Sequence, residues 1–170
     1  MKTKRVTLIA IIASVYVCLS LIMGNFSYGP IQIRIAEVLM VLCVFDKNYI
    51  LPLTLGCFLA NMIGLLLGFN YMSLDIIFGS FSTLISGILM YKTRNIKFRN
   101  REILSMFIPC VINGLIIGTE LALYTNVDSG ISLFITYFGY IFLSEFLSVF
   151  VLGLCLYKTL KSISTYISEK

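Results

Sequence analysis

The chain has 170 residues, 59% of them hydrophobic and only 12% charged, with a formal net charge of +5 and a mean hydropathy of +0.97. A soluble domain is about half apolar and about a quarter charged, so this composition excludes an ordinary soluble fold and points to an integral membrane protein. The positive charge is not a nucleic-acid signal, because the cations sit at the ends of apolar runs. The absence of His removes His-based metal and triad chemistry.

The apolar runs are about 17–25 residues long, which suits helices crossing a ~30 Å core and not the strands of a barrel. Six spans in a single domain, residues 1–170, are predicted. The first, Val6–Gly24, follows Met1-Lys2-Thr3-Lys4-Arg5. It exceeds a signal-peptide core of ~7–15 residues and no small-residue cleavage site ends it, so it is read as a span. The second, Ile31–Phe45, is short and interrupted early by Arg34 and Glu37. The third to fifth are Tyr49–Leu67, Ser73–Tyr91 and Ile103–Tyr124. The sixth, Ser132–Leu160, is long enough to leave the bilayer as an amphipathic tail carrying Lys158 and Lys161.

Threading six spans puts Lys2, Lys4, Arg5, Lys47, Lys92, Arg94, Lys97, Arg99, Arg101, Lys158, Lys161 and Lys170 on one side. The opposite joints, Asn25–Pro30, Gly68–Met72 and Thr125–Gly130, contain no Lys or Arg. Both termini are therefore expected in the cytoplasm. The outer joints carry Gly24-Asn25, Tyr28-Gly29-Pro30, Gly68-Phe69-Asn70-Tyr71 and Asn126-Val127-Asp128-Ser129-Gly130, residues that suit tight turns. Cys18, Cys43, Cys57, Cys110 and Cys155 lie in or beside apolar segments without a CxxC pair and read as small core residues.

Small residues recur at helical spacing: Gly56, Ala60, Gly64 and Gly68; Gly79, Thr83 and Gly87; Gly114 and Gly118; Ala10 and Ser14. Such rows let helices approach closely in lipid. Most are expected to hold the monomer together, and Ala10 and Ser14 are the candidates for docking a partner helix.

Acidic groups inside apolar segments carry the functional signal, since a carboxylate in hydrocarbon is costly and marks a polar path or site by default. Placed by a rise of ~1.5 Å per residue, Arg34, Glu37, Asn61, Asp75 and Glu120 fall in one layer below the outer face, with Gln32 and Tyr71 at its rim. Arg34 and Glu37, three residues apart, are expected to share a helix face and partly neutralise each other. Asn113 lies deeper as a pocket floor or an interhelical bond, and Glu145 near mid-membrane as a ligand contact or a structural node. The alternatives are a structural Arg34–Glu37 pair, a helix-capping role for Asp75 and an interfacial Glu120. The excess of negative charge suits a small, cationic, hydrogen-bonding solute. Tyr71, Tyr137 and Tyr140 are candidates to stack on a planar ligand.

No Walker, HExxH, GxSxG or GxGxxG motif is present, so the chain is not expected to hydrolyse ATP or to act as an enzyme. No metal or other cofactor is implied.

Five segments carry a family resemblance. Gly29-Pro30-Ile31-Gln32-Ile33-Arg34-Ile35-Ala36-Glu37-Val38-Leu39 resembles the GPIQ-R-SEAL stretch of the QueT family. Gly56–Asn61 and Leu74–Ser80 resemble its GC-LAN and LD-VFGS segments, and Asn113–Leu121 and Ser144–Gly153 its fifth- and sixth-span motifs. Ala36 stands where Ser is usual and Ser144 where Gly is usual. The resemblance implies a six-helix S component of an energy-coupling factor transporter in a bacterial plasma membrane. Its implied cargo is a queuosine precursor, 7-aminomethyl-7-deazaguanine or queuine. Its implied partners are a transmembrane coupling subunit, met by the first span's small residues, and two cytoplasmic ATPases. The rival readings are an ion-coupled secondary transporter of a small cation, using Glu120 or Glu145, and a non-transport assembly subunit.

Overall fold

A computed structural model describes residues 2–28, 32–96, 102–125 and 130–168. Gly29-Pro30-Ile31, the turn over Asn126–Ser129, and the cations Lys97, Arg99, Arg101 and Lys170 lie outside the described residues. The described chain is a helical bundle. Its helices are α1 (Lys2–Ile22), α2 (Leu42–Phe45), α3 (Ile50–Leu66), α4 (Asp75–Thr93), α5 (Ile103–Met106), α6 (Ile108–Thr125), α7 (Gly130–Glu145) and α8 (Gly153–Ser168).

Five helical stretches are long and apolar enough to cross a membrane: Arg5–Ile22, Lys47–Leu66, Asp75–Thr93, Ile103–Thr125 and Ile131–Ile167. The second predicted span differs in kind. Residues 32–34 are not helical, Ile35–Val41 winds as a 3-10 helix, and only Leu42–Phe45 is α-helical. The winding lengthens this short segment. At ~2.0 Å per residue in the 3-10 stretch, with extended residues before it and an α-turn after, it reaches about 30 Å. Its residues Ala36, Glu37, Val38, Met40 and Val41 are all buried, so the segment threads the centre of the bundle.

Local chemistry sets the other boundaries. Gly24 and Gly68 adopt positive φ, 49° and 75°, at the ends of α1 and α3, where a residue with a Cβ is disfavoured. Pro52 stands in the first turn of α3, where a missing N–H costs little. Pro109 cannot donate to Ser105 and its ring would crowd that carbonyl, which separates α5 from α6 at Phe107. The last span is one continuous rod in which α7 passes through a π-helical stretch, Phe146–Leu152, into α8. The sequence shows no sign of that π stretch. It begins beside Glu145 and holds Ser148, and such irregular turns recur at functional sites. On α8, Tyr157, Leu160 and Ser164 are buried while most neighbouring positions are exposed, the expected amphipathic tail.

Pairs α1–α3, α3–α4, α4–α6 and α6–α7 pack side by side. Members of the small-residue rows lie at these seams. A Cβ on Gly56 would fall 2.8 Å from Tyr16 Cβ, and one on Gly118 3.0 Å from the Phe138 backbone nitrogen. Ala10 and Ser14 are exposed on the outside of α1. The main core gathers Tyr16, Met40, Val41, Tyr49, Leu53 and Met90 around the central 3-10 segment.

Candidate polar site within the bundle

Arg34 organises the site. It precedes the 3-10 stretch with φ −92° and ψ 84°, and its carbonyl accepts from the Glu37 N–H at 3.0 Å. The expected Arg34–Glu37 attraction stands beside a longer-range pair. Arg34 Nη2 lies 3.1 Å from Asp75 Oδ2, and both residues are buried. The same nitrogen donates to Asn61 Oδ1 at 2.5 Å. Asn61 Nδ2 donates in turn to the Asp75 carbonyl at 2.8 Å, and Asn70 Nδ2 to Asp75 Oδ2 at 2.9 Å. Burying a guanidinium is tolerable only with such a set of partners.

This knot presses against α4. A Cβ on Gly79 would lie 2.7 Å from Asn61 Nδ2 and 3.0 Å from Asp75 Oδ1. Glycine at position 79 is therefore what lets the three polar side chains meet over the helix backbone. Asp75 opens α4, as expected of an acidic residue at a helix start, yet it is committed to Arg34 as well.

Glu37 is 1% exposed and accepts from Tyr16 Oη at 2.5 Å. Glu145 sits within electrostatic reach of Glu37 and is hydrogen-bonded to Asn113, which also accepts from the Ser82 hydroxyl. Ser144 donates to the backbone carbonyl of Gln32, tying the entry of the central segment to α7. Glu120 interacts electrostatically with both Asp75 and Arg34. Gln32, Arg34, Glu37, Asn61, Asp75, Asn113, Glu120 and Glu145 are thus all buried, and they arrive from the central segment, α3, α4, α6 and α7.

Tyr71 is the member of the predicted set that stays apart, at 76% exposed. Tyr140 is also exposed, and Tyr137 packs on the small cluster of Met72, Ile117, Leu121 and Ile141. The aromatic groups that reach the polar set are Tyr16 and Tyr28. The Tyr28 ring lies under the Arg34 guanidinium, 5.6 Å from its centroid, while its hydroxyl donates to the Ala60 carbonyl at 2.8 Å. Neither tyrosine stands out in sequence, because Tyr16 reads as one more residue of an apolar span and Tyr28 as part of a turn.

Five carboxylate oxygens here are buried without a hydrogen-bond donor: Glu37 Oε2, Asp75 Oδ1, both of Glu120, and Glu145 Oε2. Buried polar atoms are nearly always satisfied, and each exception calls for a physical reason. One guanidinium among four carboxyl groups leaves acceptors in excess. Among the described residues, no group of His, Cys, Asp and Glu is arranged to hold a metal ion.

A groove of about 530 Å³ runs between α4 and α6, walled by Leu74, Phe78, Phe81, Leu115 and Leu123, with Glu120 as its acidic member. Apart from Glu120, the polar knot lies outside this groove, with its side chains in contact with one another.

The comparisons with known proteins agree with this architecture. The family model described as QueT transporter matches residues 6–162. The chain is 31% identical over 156 residues to the queuosine precursor transporter QueT of Lactococcus lactis subsp. cremoris (strain MG1363), a match covering 88% of each chain. No solved structure matches at a significant level. A multi-pass membrane protein with buried carboxyl groups converging from several segments, matched by that family model over most of its length, belongs to the QueT transporter family.

Proposed function

We propose that this chain is the substrate-capture subunit of an ATP-driven importer of the energy-coupling factor type, in a bacterial plasma membrane. It takes a queuosine precursor, 7-aminomethyl-7-deazaguanine or queuine, from the outside. The joints bearing Gly24 and Gly68 face out, and both termini face the cytoplasm. Supporting this, the described joints at that end lack Lys and Arg, while Lys47, Lys92 and Arg94 cluster at the other.

The observation that carries the reading is the set of five donor-less carboxylate oxygens around a single buried Arg. A deazaguanine presents N–H donors along one edge and an amine on its substituent. Carboxylates accept such donors with charge-assisted bonds stronger than neutral ones, and Asn61 and Asn113 offer amides that match both donors and acceptors. The coupling subunit docks on the exposed Ala10 and Ser14 of α1, and two ATPase subunits supply the energy.

Calorimetry on the purified chain, with mass spectrometry of co-purified small molecules, tests this. The aminomethyl base binds the wild type, and Glu37→Gln and Glu120→Gln each weaken binding by about 1.5–3 kcal/mol. Unchanged affinity in both variants refutes the assigned site. Uptake requires the ATPase partners and survives collapse of the proton gradient; the reverse pattern identifies an ion-coupled carrier instead.

A further inference from the structure

Glu120 differs from the other buried carboxyl groups. It is 5% exposed, and neither of its oxygens has a donor, whereas Glu37 and Asp75 each have one oxygen engaged. It also lines the α4–α6 groove, whose wall is otherwise almost entirely apolar and includes the rings of Phe78 and Phe81. Both rings are substantially exposed. Glu120 therefore touches two environments. On one side lies the polar knot, where Asp75 is close enough to interact electrostatically; on the other lies a cleft large enough for a small planar molecule.

We propose that the α4–α6 groove is the subsite for the amine-bearing arm of the solute, with Glu120 as the residue that selects for its positive charge. The proposal rests on the reading of the chain as a carrier of an amine-substituted deazaguanine-type base. An ammonium group supplies the donors both Glu120 oxygens lack. The methylene joining it to the ring system lies against Phe78, where apolar contact and ring–cation attraction act together. The base edge points inward toward Asp75, the carboxylate within electrostatic reach of Glu120. Discrimination follows from charge: a base with a neutral substituent leaves Glu120 buried and unpartnered in the complex, so it forgoes the added affinity while still reaching the inner carboxylate.

Calorimetry with two probes tests this, the aminomethyl base and the same base carrying a methyl group. The wild type prefers the aminomethyl form. Glu120→Gln weakens that form by roughly 10- to 100-fold and leaves the methyl form within about twofold, as expected for loss of a charge-assisted hydrogen bond. Equal loss for both probes, or none for either, overturns the assignment of Glu120 while leaving the carrier reading intact. Failure of the wild type to bind either probe overturns the carrier reading itself.

Labelling of the unmodified protein in membranes needs no variant to fold. A hydrophobic carbodiimide adds to carboxyl groups reached from the lipid phase, and peptide mass locates the adduct. Modification at Glu120, slowed by the aminomethyl base and not by the methyl base, is the expected result. No adduct at Glu120, or equal protection by both bases, refutes the groove as the amine subsite.

Discussion

Gly79→Ala probes the packing on which the polar site depends. The new methyl would fall 2.7 Å from Asn61 Nδ2 and 3.0 Å from Asp75 Oδ1. Side-chain ends normally yield cheaply, but these are held. Asn61 is fixed at both ends of its amide, by Arg34 and by the Asp75 carbonyl, and Asp75 is fixed by Arg34 and Asn70. Alanine improves helix propensity over glycine by about 1 kcal/mol. Against that stand overpacking, about 1–3 kcal/mol, and the loosening of a hydrogen bond to a charged group, about 1.5–3 kcal/mol. The net expectation is a destabilisation of about 1.5–5 kcal/mol, together with weaker ligand binding. Gly139 provides the internal control. It lies within α7, where an added Cβ would meet nothing within 4 Å, so Gly139→Ala should be neutral or stabilising by up to about 1 kcal/mol. Reversible unfolding in mixed detergent micelles measures both. A Gly79→Ala protein as stable as wild type, beside a well-behaved Gly139→Ala, refutes the claim that glycine is needed for the knot.

Three further outcomes follow from named contacts. Tyr16→Phe removes the donor to Glu37 Oε1 and leaves that carboxyl group wholly unpartnered, so unfolding should cost about 1–3 kcal/mol less; wild-type stability would show that the 2.5 Å contact is energetically idle. Arg34→Met should destabilise by about 3–5 kcal/mol by stranding Asp75, and adding Asp75→Leu should recover part of that loss; strict additivity in the double-mutant cycle would rule out the pair as a unit. Ala10→Leu or Ser14→Leu should leave solute binding intact and block co-purification of the coupling subunit, because both positions are exposed on α1; normal assembly would exclude this face.

The membrane class, the number of spans and the approximate ends of the helices are local properties, readable from residue order. Hydropathy summed over one span needs no knowledge of its neighbours, and Gly24 and Gly68 mark breaks through their own backbone chemistry. Burial is legible too, because a charged or amide side chain within an apolar run is costly unless enclosed, and Glu37, Asn61, Asp75 and Glu120 are all buried. Direction around the axis is not local. Arg34 and Glu37 are close in sequence, yet the hydrogen bonds and ion pair of Arg34 go to Asn61 and Asp75 on other helices. The packing of the central segment against its neighbours brings Arg34 to Asp75, 41 residues away. Tyr16, Tyr28 and Gly79 join the polar set, and Tyr71 stays outside it, for the same reason. Which side chains meet is set by how whole helices pack, and packing couples residues that no local pattern links.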